Sequence, residues 1–334
     1  MKWKKRMGYA GVLILLLVGA GLFTYWKLSP ATHFNNTEIP VLAAPQPEES
    51  SSPTTSSSQS SESNSSDTND KSKDQVSFNV LILGTDARDQ EASRTDVIIL
   101  AHVNPGKKIV NLISIPRDSR VNLPGIGYTK INHAHVLAEL KGDGHDGTMA
   151  AMQAVSNLCS CSINYYLKTN FEGFEHFIDT LGGLDIHLDE PVKFTYAHKT
   201  IPAGDNHLYG ADVLDLVRER KSLPGGDSGR QAHQAMVLKE IALTMAKPQN
   251  LKKLPSLINQ VKQDILDTNL TDSDMISLAW LAKDIDGDQF TYTQLPGRSD
   301  KLYDPVVKSE LYYWIPDLEE WEALAKSLLG ENEP

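Results

Sequence analysis

Seven of the nine arginines in this 334-residue chain fall in two short stretches, Arg88, Arg94, Arg117 and Arg120, then Arg218, Arg220 and Arg230, whereas the 23 lysines are scattered. In a chain of net charge −11, that unevenness points to the guanidinium fork, whose planar donors meet two phosphate oxygens at once. Three aspartates, Asp86, Asp96 and Asp118, stand among the first four arginines. Carboxylates beside phosphate-binding arginines make chemical sense where a divalent cation joins the two, so the pattern reads as a phosphate site with a metal. A surface ion-pair network is the competing reading, because most charge runs are simply solvated.

Three strands must bring the first cluster together. Residues 77–84 read as a buried strand ending just before Asp86, residues 95–103 (TDVIILAHV) as a second and residues 109–115 (IVNLISI) as a third. The turn signal Asn104-Pro105-Gly106 makes a hairpin of the last two. If the second strand also runs antiparallel to the first, Asp86, Arg94, Asp96 and Arg117 converge on one sheet edge, while Lys107 and Lys108 mark the opposite end. Helical spacing at 148–158 and 171–181, and strands in INYYLKT and LDIHL around Gly182-Gly183, continue an α/β sandwich.

The second cluster depends on helix ends. Arg218 and Arg220 follow the helical stretch ADVLDLV, and an i,i+2 pair faces one side only where the chain has left the helix. A long helix is expected from PGGDSGRQAHQ onward, with Asp227 or Ser228 as its N-cap and Arg230 and Gln234 on one face. Its free N–H groups and dipole add a second anion attractor.

The N-terminal part reads differently. Residues 8–26 carry no charge and are long enough for a transmembrane helix. Lys2, Lys4, Lys5 and Arg6 precede it, so residues 1–7 are cytoplasmic and the rest extracytoplasmic, on a single-pass membrane protein. A cleaved signal peptide is the alternative, disfavoured by the length of the run and its Tyr25-Trp26 end. Residues 27–75 are rich in Ser, Thr, Pro and acids and read as a disordered tether reaching about 40 Å. Residues 76–330 then suffice for one α/β domain. Cys159 and Cys161, one residue apart, read as two buried thiols rather than a strained local disulfide. The ten histidines show no HExxH or HxxEH spacing, and GxSxG and Walker A motifs are absent, which removes zinc-protease, serine-hydrolase and P-loop readings.

The ordered blocks LILGTDAR, SRTD, ISIPRDSRV, KINHA, LGGLDIHL, PAGDNHLYGADVLDLVRER and GDSGRQAHQ, over about residues 77–245, resemble the LytR-CpsA-Psr family of membrane-anchored cell-wall enzymes. The resemblance implies a single domain with a mixed central sheet flanked by helices. It implies transfer of a phosphorylated glycopolymer from a polyprenyl diphosphate carrier to a peptidoglycan sugar hydroxyl. Matched motif by motif, Asp86 and Asp96 hold Mg2+ (Mn2+ being the other candidate), and Arg94, Arg117, Arg218, Arg220, Arg230 and Gln234 bind the diphosphate. Asp96, Arg117, Arg218 and Arg220 are the catalytic set, with Asp96 as base. It also implies a hydrophobic tunnel for the polyprenyl tail, for which apolar helix faces such as Phe171, Phe174 and Phe177 are candidates. One departure is His233, where the family commonly has a second Arg; Lys221 is a candidate to compensate. Residues 246–334 read as more of the same domain. The rival functions are a non-catalytic polyprenyl-lipid carrier, a hydrolase of the same lipid-linked substrate, and a DNA-binding regulator; the last is opposed by an acidic domain lacking a basic recognition helix.

Overall fold

The computed structural model describes residues 29–46, 76–86, 93–285 and 287–330. The proposed cytoplasmic segment 1–7, the anchor 8–26 and Arg88 lie outside them. In chain order the elements are α1 (Pro30–Asn36), β1 (Phe78–Thr85), β2 (Thr95–Asn104), β3 (Ile109–Ser114), β4 (Arg120–Leu123), β5 (Gly127–Lys130), α2 (His133–Glu139) and α3 (Gly144–Cys159). Then come β6 (Tyr165–Asn170), α4 (Phe171–Leu181), β7 (Leu184–Leu188), β8 (Val192–Phe194), β9 (Lys199–Ile201), β10 (Gly204–Leu208), α5 (Gly210–Arg218) and α6 (Asp227–Met245). The chain closes with α7 (Pro248–Leu251), α8 (Leu254–Asp264), β11 (Ile265–Thr268), α9 (Asp272–Lys283), β12 (Phe290–Gln294), β13 (Gly297–Asp304), β14 (Ser309–Pro316) and α10 (Leu318–Leu328).

Six strands form a mixed sheet in the order β11-β6-β1-β2-β3-β12. β1, β2 and β3 are successively antiparallel, as the hairpin signal requires, while β6 lies parallel to β1 and β12 parallel to β3. Pleating sends alternate residues to opposite faces. Leu81, Leu83, Ile98 and Leu100 face a core closed by α3 and by Trp321 of α10. Phe78, Val80, Ile99 and Ala101 face the other layer, closed by α6, α8 and α9. A third cluster joins α4 and α5 to the β7–β10 hairpin. The described part of residues 246–330 supplies both edge strands of this sheet, the β13–β14 pair and four helices.

The chain departs from expectation at residues 29–46, which belong to the stretch read as a tether. Pro at the first helical position favours a short helix, and α1 docks through Phe34, which is 1% exposed and meets the Phe78 ring at 4.4 Å. His33 contacts Asp274 at 2.7 Å, and the backbone at Ala43 pairs with Ile163. One buried aromatic and a few pairings suffice to order a segment whose average composition is polar. Cys159 and Cys161 are both buried, as expected.

Candidate functional site

The antiparallel order of β1, β2 and β3 places the end of β1, the start of β2 and the end of β3 together. A register shift after Gly84 pairs Thr85 with Thr95. Gly84 keeps the two strands close there: a Cβ would stand only 3.0 Å from that of Val97, which would have to give way. Asp96 accepts a hydrogen bond from Arg117 Nη1 at 2.6 Å, with both side chains about one-fifth exposed. Burial opposes the Arg117 charge, but the charge and hydrogen bond of Asp96, with Asp118 and Asp227 beyond, raise its pKa above the ordinary value. Asp86 accepts the Arg94 backbone N–H at 3.2 Å. Ser93, the residue before Arg94, is held by α2, where Glu139 accepts the Ser93 N–H at 2.8 Å and the His135 ring meets the Ser93 carbonyl at 3.0 Å.

Arg218 is the last residue of α5, and Glu219 is extended, so the chain leaves the helix between the two arginines as expected. Glu219 turns inward, is 2% exposed, and accepts backbone N–H groups from Thr195, Arg220, Lys221 and Ser222. Burial alone would raise its pKa; those bonds and the Thr195 hydroxyl outweigh it and hold the carboxyl down to about 2. An anion fixed under the turn points its two neighbours outward as a pair. Arg218 also lies over the Phe171 ring at 4.6 Å.

The start of α6 differs from the expected cap. Gly226 is the N-cap residue, with φ +57, and no side chain caps the helix. Asp227 is instead bonded to Arg230 Nη2 at 2.7 Å and to Gln231 at 2.9 Å. Arg230 is 7% exposed, and its Nε is buried without a partner. Burial, with Arg117 and Arg220 nearby, lowers its pKa against the pull of Asp227 and Asp96. Mutually repelling guanidinium groups with an unused buried donor need an anion. Gln234, one turn on, donates to the Val217 carbonyl at 3.1 Å.

These residues rim one cavity of about 770 Å³: Asp86, Asp96, Arg117, Arg218, Arg220, Arg230 and Gln234 all line it. Its depth is apolar. Ile82 and Ile99 of the sheet, Phe171, Phe174 and Phe177 of α4, and Leu238, Ile241 and Met245 of α6 face the same space, with α8 and α9 closing the far wall. Of the expected site residues, Arg94 is exposed and outside the cavity lining. Arg120, from the same arginine stretch, stacks over Tyr128 at 4.4 Å instead. His233 also lies outside the lining; burial lowers its pKa despite a hydrogen bond to Leu216, so it stands neutral at pH 7. Lys221 sits over Tyr196, a lining residue, at 4.8 Å. Glu219 escaped the sequence reading, and Asp227 was read as a cap rather than as the partner of Arg230, because acids between arginines look like ordinary charge alternation.

Among the described residues no group of three or more His, Cys, Asp or Glu side chains is arranged to hold a metal. Asp86 and Asp96 nevertheless line the same cavity as the arginines, and oxygen donors of this kind suit Mg2+, which keeps water and substrate oxygens in most of its positions and needs only one or two protein carboxylates.

The site is thus an apolar cavity mouthed by arginine and aspartate in an α/β domain. The chain belongs to the LytR_cpsA_psr family, whose profile matches residues 47–329. It is 28% identical over 318 residues to the polyisoprenyl-teichoic acid–peptidoglycan teichoic acid transferase TagU of Bacillus anthracis, covering 95% of this chain and 94% of that protein. Among solved structures it is similar to TagV of B. subtilis, with TM-score 0.64 and 25% identity over 76% of this chain and 96% of the other. TagT bound to LIIa-WTA matches with TM-score 0.60 and 25% identity, over 75% and 89% of the two chains. At family level this supports a glycopolymer transferase role.

Proposed function

We propose that the protein transfers a phosphorylated glycopolymer (teichoic acid, capsule or another secondary wall polymer) from a polyprenyl diphosphate carrier to a peptidoglycan sugar hydroxyl. The cavity carries this reading, since an apolar bore opening on a cationic rim matches a lipid tail joined to a diphosphate. Burying the tail is driven by removal of apolar surface from water. Arg117, Arg218, Arg220 and Arg230 bind and orient the diphosphate, with Gln234 beside them. In a loose phosphoryl-transfer transition state the protein's work is positioning and neutralising charge. The acceptor oxygen attacks the sugar-linked phosphorus, the bond to the polyprenyl phosphate breaks, and Asp96 receives the hydroxyl proton. Asp86 and Asp96 would hold Mg2+ or Mn2+, which would supply further positive charge for the diphosphate. Residues 8–26 anchor the chain, leaving the domain outside the cell membrane.

The test is incubation of the purified protein with a polyprenyl diphosphate-linked oligosaccharide, Mg2+ and peptidoglycan oligomers. A covalent sugar-phosphate adduct that requires metal, and that Asp96→Ala and Arg218→Ala both lose, is the expected result. Tight lipid binding without an adduct from any donor favours a carrier, and phosphate release without an acceptor favours a hydrolase.

A further inference from the structure

A second cavity, of about 490 Å³, adjoins the first. Its inner wall is Asp118, Asp227 and Gln231; its outer wall is the β13–β14 hairpin, with Ser299, Tyr312 and Trp314. The two cavities share their partition: Arg117 faces one and Asp118 the other, and Asp227 of the second is ion-paired to Arg230 of the first. The hairpin is held in place from both sides. Trp314 N–H donates to the Asp118 carbonyl at 2.9 Å, and its indole N–H donates to the Leu295 carbonyl at 3.1 Å. Gly297 permits this, because a Cβ there would meet the indole nitrogen at 2.7 Å. Tyr312 stays 44% exposed on the same strand face.

The lining selects a chemistry. Among the described residues no Lys or Arg lines this cleft, so it is unsuited to phosphate. Two of its carboxylates are already neutralised, Asp118 by Lys130 at 2.6 Å and Asp227 by Arg230, so it is not built for a cation either. What remains is aromatic faces beside carboxylate, amide and hydroxyl groups, including Gln231, Gln294 and Glu320. Aromatic rings take the C–H faces of a sugar while acceptor and donor groups take its hydroxyls. The volume falls in the range of about 300–1,000 Å³ typical of ligand clefts.

From this we infer that the second cleft is the acceptor site, seating an uncharged hydroxyl-rich glycan strand on Tyr312 and Trp314 so that one hydroxyl reaches over the Asp118–Asp227 partition to the phosphate. This rests on the transferase reading for its place in the reaction, though glycan binding itself does not.

The experiment uses the full chain with Tyr312→Ala and with Ser299→Trp, which fills the cleft from the opposite strand; both positions are exposed, and thermal melts check folding. A tetrasaccharide of β-1,4-linked N-acetylglucosamine, which carries no charge, is titrated and binding followed by tryptophan fluorescence and NMR; acceptor KM for peptidoglycan oligomers is measured in parallel. Both variants are expected to weaken glycan binding and raise acceptor KM roughly tenfold, with donor affinity unchanged. Arg218→Ala is expected to do the reverse. Absence of glycan binding by the unaltered protein, or equal binding by both variants, overturns the inference. Glycan binding lost in the variants, in a protein that transfers nothing, supports the cleft while overturning the transferase.

Discussion

Arg218 and Arg220 are useful only as a pair, and the residue between them makes them one. Glu219 gathers N–H groups from the turn that follows and from Thr195 across it, so the two guanidinium groups are aimed by an anion that never meets substrate. Hydrogen bonds to a charged acceptor are worth about 1.5–3 kcal/mol. Glu219→Gln keeps the shape and loses the charge, so a stability loss of about 2 kcal/mol is expected in urea unfolding. The discriminating readout is affinity for a polyprenyl diphosphate, which should fall roughly tenfold; unchanged affinity in the destabilised variant would confine Glu219 to holding the fold. The arginines themselves were legible from their uneven placement. Glu219 was not, because its role depends on facing inward, and a carboxylate between two arginines carries no sign of that in its type or spacing.

Among elements, those whose chemistry is local were the readable ones. The β2–β3 hairpin announces itself through Asn104-Pro105-Gly106, and the end of α5 through the demand that two arginines face one way. Gly226 as the cap of α6 was missed because Asp227 and Ser228 are better capping types, and the ion pair with Arg230 claimed Asp227 instead. The β13 strand, GRSDKLYD, has little apolar alternation because it pairs only with β14, outside the main sheet. Helix α1 was lost in the Ser-rich average around it, and its partners Phe78, Tyr165 and Asp274 are remote in sequence. That docking is testable. Truncating a buried Phe to Ala costs about 3–5 kcal/mol, limited here by the free energy of undocking the segment. Phe34→Ala should therefore lower the melting temperature by several degrees or free α1 to rapid amide exchange; neither change would mean the helix contributes nothing to the domain.

Over the whole molecule, the cavity is the feature sequence patterns describe least, because a lined void and a filled core use the same side chains: Phe171, Phe174 and Phe177 satisfy helical spacing in either case. Burial also gives the molecule a pH dependence that belongs to no single site. His102 lies at the sheet centre, 4% exposed and 2.9 Å from Asn79, and burial, aided by Lys107, lowers its pKa to about 4. Burial likewise lowers His133, His135 and His233. Below the ordinary imidazole value of 6.5 the unfolded chain takes up protons that these folded histidines refuse, so it binds more protons than the native state and stability rises with pH in that window. The stabilisation is complete above 6.5 and is lost as pH falls toward 4, by up to about 3 kcal/mol from His102 alone. Glu219, held down to about 2, adds a further loss only below its unfolded value of 4.5. Urea midpoints measured from pH 7.5 to 4 should therefore decline steadily below 6.5, and His102→Gln, which carries no titrating ring, should flatten that decline even if it lowers the midpoint at pH 7; an equally steep decline in the variant would remove His102 as its source.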